Sequence, residues 1–238
     1  MNYLKMLSLL GIGGAHPGGL SLTKKIFESE QIPLNRIILD AGCGTGQTAS
    51  YLYQLGYPIT GLDFDPQMIQ HAKKRNQQLN IEIPYLNEDL SHTSLPANTF
   101  DLILSESVLN FTSLPDTLSE ISRILKQNGL VIAIEMIRKA PLSSDEEDEL
   151  KAFYGCNGIF SVSEWEKQFT QNGFTIYKVL NEEDLILQDM GEPSTEFSPV
   201  EALPDDAFTL LSEHEKISNK YGNKLTFSVF FARKTILK

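Results

Sequence analysis

Between Arg36 and Met136, short aliphatic runs that are apolar throughout alternate with stretches whose apolar positions recur every three or four residues. The first pattern belongs to strands buried on both faces and the second to helices lying on a sheet, so their alternation predicts βαβ units and a parallel sheet. The runs place strands at 36–40, 58–63, 82–87, 100–105 and 130–136, and helices at 45–55, 66–79 and 115–126. Pro66 and Pro115 stand where proline is tolerated, in a first helical turn. Asn128-Gly129 is read as the turn into the strand that follows.

The second half has a different texture. Residues 138–158 are polar, acidic and punctuated by glycine, which suits a mobile cap better than a sheet element. A helix is expected to open at Ser161, with Ser161 or Ser163 as its cap and Glu164 or Glu166 completing a capping box, and to close at Asn172-Gly173. Strands follow at 174–180 and 224–233. The roughly 40 residues between them are too many for a hairpin loop and should carry structure, with a helix from 205 to 220.

Composition narrows the possibilities. With 238 residues, 41% of them hydrophobic, the chain can bury a sizeable core. Its 31 acidic and 20 basic residues give a formal net charge of -11, a field that repels a phosphate backbone and makes nucleic acid a poor partner. Two cysteines, Cys43 and Cys156, provide neither a disulfide framework nor a Cys-rich metal site, and they fit a reducing, cytoplasmic setting. The apolar stretch 3–10 is short and holds Lys5, so it is read as neither a signal peptide nor a membrane span, which would need roughly 18–20 apolar residues.

The chemistry concentrates in Ile37-Ile38-Leu39-Asp40-Ala41-Gly42-Cys43-Gly44-Thr45-Gly46, a strand that turns through three glycines into a helix. Such a turn lets backbone approach a ligand and offers the unpaired N–H groups of a helix start; the other reading is a tight turn with no ligand. The third glycine falls one residue too early for the dinucleotide fingerprint, and no Gly-Lys-Ser/Thr follows for a P-loop. Asp40-x-Gly42-x-Gly44-x-Gly46 resembles the first motif of class I methyltransferases that use S-adenosylmethionine (SAM), and the likeness extends over residues 36–136. Within that superfamily the chain resembles the small-molecule branch that contains ubiquinone/menaquinone and arsenite methyltransferases.

The resemblance implies a Rossmann-like α/β fold with helices on both faces of a seven-stranded, mostly parallel sheet in the order 3-2-1-4-5-7-6. It implies one domain over 1–238, comprising an N-terminal lid (1–34), a cofactor-binding core (35–137), a cap (138–160) and a sheet-completing part (161–238) with a substrate-side insertion at 181–222. It also implies cofactor contacts from Asp40, Gly42, Cys43, Gly44 and Gly46. Asp63, at the second strand's tip, would take the ribose hydroxyls and Phe64 the adenine face. Asp89 and the backbone of Leu90 would recognise the adenine edge, and Ser105 would border the methionine end. The 124–129 stretch resembles the family's Leu-Lys-Pro-Gly-Gly turn, with Gln127 in place of Pro and only Gly129 retained.

No metal site is expected. Methyl transfer is an in-line displacement in which alignment supplies much of the rate, so a base is needed only when the nucleophile must lose a proton. The sequence lacks the Asn/Asp-Pro-Pro-aromatic motif of nucleic-acid amino methyltransferases after the fourth strand, and it lacks a Pro-Cys nucleophile; a small-molecule acceptor is expected. Acceptor-side candidates are His16, Glu106, Asn110 and Tyr154. His16 is read either as a polar group on a lid or as a loop histidine fixing local backbone. Cys156 is read as packing rather than as a reactive thiol, and Trp165 and Phe169 as the face that joins their helix to the sheet. The alternative to an enzyme is a non-catalytic SAM sensor or partner-binding protein on the same fold.

Overall fold

The structure, a computed structural model, describes residues 1–185 and 196–235. Strands β1 (Ile38–Ala41), β2 (Ile59–Asp63), β3 (Tyr85–Asn87), β4 (Phe100–Glu106) and β5 (Leu125–Arg138) run parallel. β6 (Phe174–Asn181) and β7 (Leu225–Lys234) complete the sheet, β7 lying antiparallel to both β5 and β6. The order is β3-β2-β1-β4-β5-β7-β6, the order implied by the family resemblance.

Side-chain alternation along the central strands sorts their residues onto two faces. Leu39, Ala41, Ile103, Val131, Ala133, Phe230 and Ala232 pack on one side, against α5 (Leu114–Ile124) and α7 (Val162–Gln171). Ile38, Leu102, Leu104, Ile132, Ile134, Val229 and Phe231 pack on the other, against α2 (Gly19–Glu30) and α3 (Gln47–Gln54). Trp165 and Phe169 are fully buried in the first core, as their i,i+4 spacing on α7 predicts, and Ser161 with Glu164 forms the capping box that opens this helix.

Several elements depart from the sequence reading. The N-terminal segment is built from two helices. α1 (Tyr3–Leu10) is capped by the Asn2 side chain and stopped by Gly11 at φ +58°; α2 follows the Gly/Pro stretch. Within residues 138–158, read as a cap rather than a sheet element, Arg138 still belongs to β5, and α6 (Ser144–Tyr154) opens on a capping box between Ser143 and Glu146. Asn128-Gly129 is no turn between helix and strand. β5 starts directly at Leu125, and the dipeptide is taken up where its register against β4 slips, between the pairs Phe100–Leu125 and Leu102–Leu130. The insertion carries α8 (Asp206–Tyr221) close to the expected span; its residues 186–195 lie outside the described residues.

Together α1, α6 and α8 form a third apolar cluster through Tyr3, Met6, Leu7, Leu10, Leu150, Tyr154 and Tyr221. The far end of the insertion returns to α1, where Ser198 N–H donates to Leu10 O (3.1 Å) and Val200 N–H to Leu9 O (3.0 Å). This assembly roofs the carboxyl ends of the parallel strands, where open α/β sheets take ligands.

Candidate active site

A cavity of about 1060 Å³ lies between the strand ends and this roof, larger than the roughly 300–1,000 Å³ typical of a small-molecule pocket. At its floor the chain leaves β1 through Gly42 and Gly44, at φ +83° and +51°. A Cβ on Gly42 would lie 2.2 Å from Val108 Cγ2, whereas one on Gly44 would meet nothing within 4 Å, so only the second opens onto free space. The Gly42 and Cys43 N–H groups donate to Leu62 O (2.7 and 2.9 Å), tying the turn to β2.

Asp63, buried at the tip of β2, accepts from Gly44 N–H (2.9 Å) at one carboxylate oxygen and from Asp65 N–H (2.9 Å) at the other. Burial pushes its carboxyl up to about 6. Asp65 caps α4 (Pro66–Leu79) by accepting from Gln67 N–H, so the two aspartates divide the work of the loop. The Asn87 amide donates to the carbonyls of Asp63 and Phe64, which fixes the tip, and the Phe64 ring is 61% exposed on the cavity side. Asp89 also lines the cavity; one of its oxygens accepts from Ser91 N–H and Oγ. Leu90 beside it is buried.

Asp40 is a partly satisfied group of the floor. Its Oδ2 is buried without a hydrogen-bond partner, and burial, then Glu106 and Asp63, hold its carboxyl well above the usual range. Next to it the fully buried Ser105 hydroxyl also lacks a partner. A buried carboxylate oxygen without a donor is costly, and a cationic or N–H-bearing ligand group relieves it.

Glu106 ends β4 under a converging set of donors. It accepts from Thr23 Oγ1 on α2 (2.5 Å) and from Thr48 Oγ1 on α3 (2.7 Å), and His16 Nε2 lies 3.3 Å from its Oε2. His16 is itself buried on the cavity wall, with Nδ1 unpartnered. Ser107 then takes φ +58°, an uncommon conformation for a residue other than glycine, and its N–H donates to Ile134 O (2.7 Å). Asn110 donates to Gly158 O (2.8 Å) and leaves its own amide oxygen buried and unpartnered. Tyr154 reaches the cavity from α6, its hydroxyl 3.2 Å from His214 Nδ1 on α8.

All four acceptor-side candidates and all but two of the ten cofactor-side residues, Gly46 and Ser105, line this one cavity. Gly46 caps α3 between the lining residues Thr45 and Gln47, and Ser105 precedes Glu106 on β4. Sequence reasoning missed Thr23, Thr48, Glu135 and His214. Glu135, on β5, is 1% exposed, accepts from Leu109 N–H (3.0 Å) at the start of the 3-10 turn Leu109–Phe111, and is pushed by burial up to about 8.

Residues 39–133 match a family model described as a methyltransferase domain. A protein of Bacillus subtilis (strain 168) named "Uncharacterized methyltransferase YodH" is 39% identical over 233 residues, 98% of this chain and 99% of that one. The chain belongs to the methyltransferase family. Solved structures place the methyltransferase fold beside the [4+2]-cyclase SpnF, with a TM-score of 0.76 and 19% identity over 98% of this chain and 96% of that one. A second neighbour of this methyltransferase is phosphoethanolamine N-methyltransferase 2 of Haemonchus contortus in complex with S-adenosyl-L-methionine, with a TM-score of 0.73 and 19% identity over 92% of this chain and 54% of that one.

Proposed function

We propose that the protein transfers a methyl group from SAM to a small-molecule acceptor and releases S-adenosylhomocysteine. The observation that carries this reading is the buried, partnerless Asp40 Oδ2 in a trio with Asp63 and Glu106, opening onto the cavity. SAM presents an ammonium group and a sulfonium to such a site and, when bound, supplies an electrophilic methyl carbon. Asp40 and Ser105 would hold the methionine end, and Asp63 the ribose hydroxyls through the lone pairs its two backbone donors leave free. Phe64 would stack on the adenine, with Asp89 and the Leu90 N–H at its edge. The glycine turn 42–46, with Cys43, lets backbone come close.

On the acceptor side, His16 offers Nδ1 to a nucleophile that must lose a proton, while Glu106, fixed by two threonine hydroxyls, orients the ring and balances the imidazolium that forms. Asn110 and Tyr154 would position the acceptor. Because one fold neighbour is described as a [4+2]-cyclase, the fold hosts reactions other than methyl transfer. The second reading is therefore a protein that binds SAM without using its methyl.

Calorimetric titration of SAM and S-adenosylhomocysteine into the protein and its Asp63→Ala variant tests the cofactor. Loss of two hydrogen bonds to a charged group, at roughly 1.5–3 kcal/mol each, predicts a Kd at least about 100-fold weaker in the variant. Failure of both ligands to bind the parent protein would sink the proposal. Binding without S-adenosylhomocysteine formation across a broad acceptor panel would favour the second reading.

A further inference from the structure

The lining of the cavity differs in chemistry between its floor and its roof. The floor is the acidic end already assigned to the cofactor, whose sulfonium and ammonium offset the carboxylates there. Toward the roof the lining includes Tyr3 and Leu7 of α1, Phe111 after β4, Met136 of β5, Tyr154 of α6 and Leu211 of α8. These are apolar or aromatic surfaces drawn from five separate elements.

Three titratable groups on these elements, Tyr154, His214 and Glu135, carry no charge near neutral pH. The Tyr154 phenol stays protonated because burial raises it, and the His214 imidazole, 3.2 Å away, is kept neutral by burial. Glu135 is pushed up to about 8 by burial and is held as the acid. They can donate to or accept from a ligand, but they cannot neutralise one.

The full charges of the lining have the wrong sign for an anion. Among the described residues Lys139 is its one lysine or arginine, against the carboxylates of Asp63, Asp65, Asp89, Glu106, Glu182 and Glu215. Residues 186–195 add no Lys, Arg or His in sequence. A phosphate or carboxylate taken out of water needs cations beside it, and among the described residues Lys139 is the lining's single lysine or arginine. A small apolar body with one polar handle needs only the uncharged groups that are present.

We infer that the acceptor end of the cavity takes an uncharged molecule with a mainly apolar body and a single hydrogen-bonding group, and rejects phosphorylated or carboxylated compounds. This rests on the cofactor occupying the acidic floor. Two fluorescent probes with one ring scaffold test it: N-phenyl-1-naphthylamine, which is neutral, and 8-anilinonaphthalene-1-sulfonate, which adds a sulfonate. Each is titrated into protein saturated with S-adenosylhomocysteine, whose own binding is measured by calorimetry on the same sample.

The neutral probe should bind at least about tenfold more tightly than the sulfonate, and Leu211→Lys, which sets a cation on the apolar wall, should narrow or reverse that ratio. Equal or tighter binding of the sulfonate, no binding of the neutral probe, or a ratio that Leu211→Lys leaves unmoved would each overturn the inference while leaving the cofactor assignment intact. Absence of S-adenosylhomocysteine binding would overturn both, and the calorimetric arm identifies that case.

Discussion

Replacing Glu135 by Gln should make the protein more stable at alkaline pH, although the substitution removes a carboxylate that accepts a hydrogen bond. Glu135 is 1% exposed inside a strand of aliphatic neighbours, and its carboxyl is raised from 4.5 to about 8, first by burial, with backbone donors near Leu109 opposing. The folded state thus keeps the proton between those values while the unfolded chain releases it, so stability falls as pH rises through this window. Between pH 5.5 and 8.5 about two and a half pH units of the window are crossed, at roughly 1.4 kcal/mol each, a loss of about 3 kcal/mol.

Gln is nearly the same size, still accepts from Leu109 N–H and does not titrate. Urea denaturation of both proteins at pH 5.5, 7 and 8.5 isolates the effect, because every other group is common to the pair. With a urea slope of about 2–3 kcal/mol/M, the midpoint of Glu135→Gln should gain about 1 M on the parent protein from the lowest to the highest pH. A midpoint difference that stays constant across the three pH values would refute the assignment of a buried, protonated carboxyl.

Gly42→Ala should lower the Tm by at least about 4 °C, since the left-handed backbone costs about 1–2 kcal/mol and the contact with Val108 about 1–3 more. Adding Val108→Ala should restore only the packing share, and a double variant no more stable than the single one would count against the clash. Ser161→Ala, which dismantles the α7 capping box, should cost about 1 kcal/mol in urea denaturation; an unchanged midpoint would show the cap to be idle.

The sequence was most readable where one physical cause dominates. Leu39, Ile103 and Ile132 lie in continuous apolar runs because parallel strands are covered on both faces, and this alone located β1, β4 and β5. The glycine turn was readable because steric demand leaves little choice of residue. The N-terminal helices were not, since α1 has only eight residues and a Gly/Pro segment separates it from α2. α6 was obscured by its acidity, although Ser143 and Glu146 stood at capping-box spacing. Glu135 sits in an aliphatic run that announces only a strand, and the threonines under Glu106 come from helices 83 and 58 residues away, beyond any local pattern.

The roof over the cavity joins the two ends of the chain in time as well as in space. The Tyr3 ring packs against Tyr154 (centroids 4.9 Å apart) and His214 (5.2 Å). During synthesis at about 5–20 residues per second, α1 therefore waits roughly 10–40 s after leaving the ribosome before α8 exists to receive it. Until then the face formed by Tyr3, Met6, Leu7 and Leu10 lacks one of its coverings, so the nascent chain's exposure to aggregation and to chaperones should centre on α1.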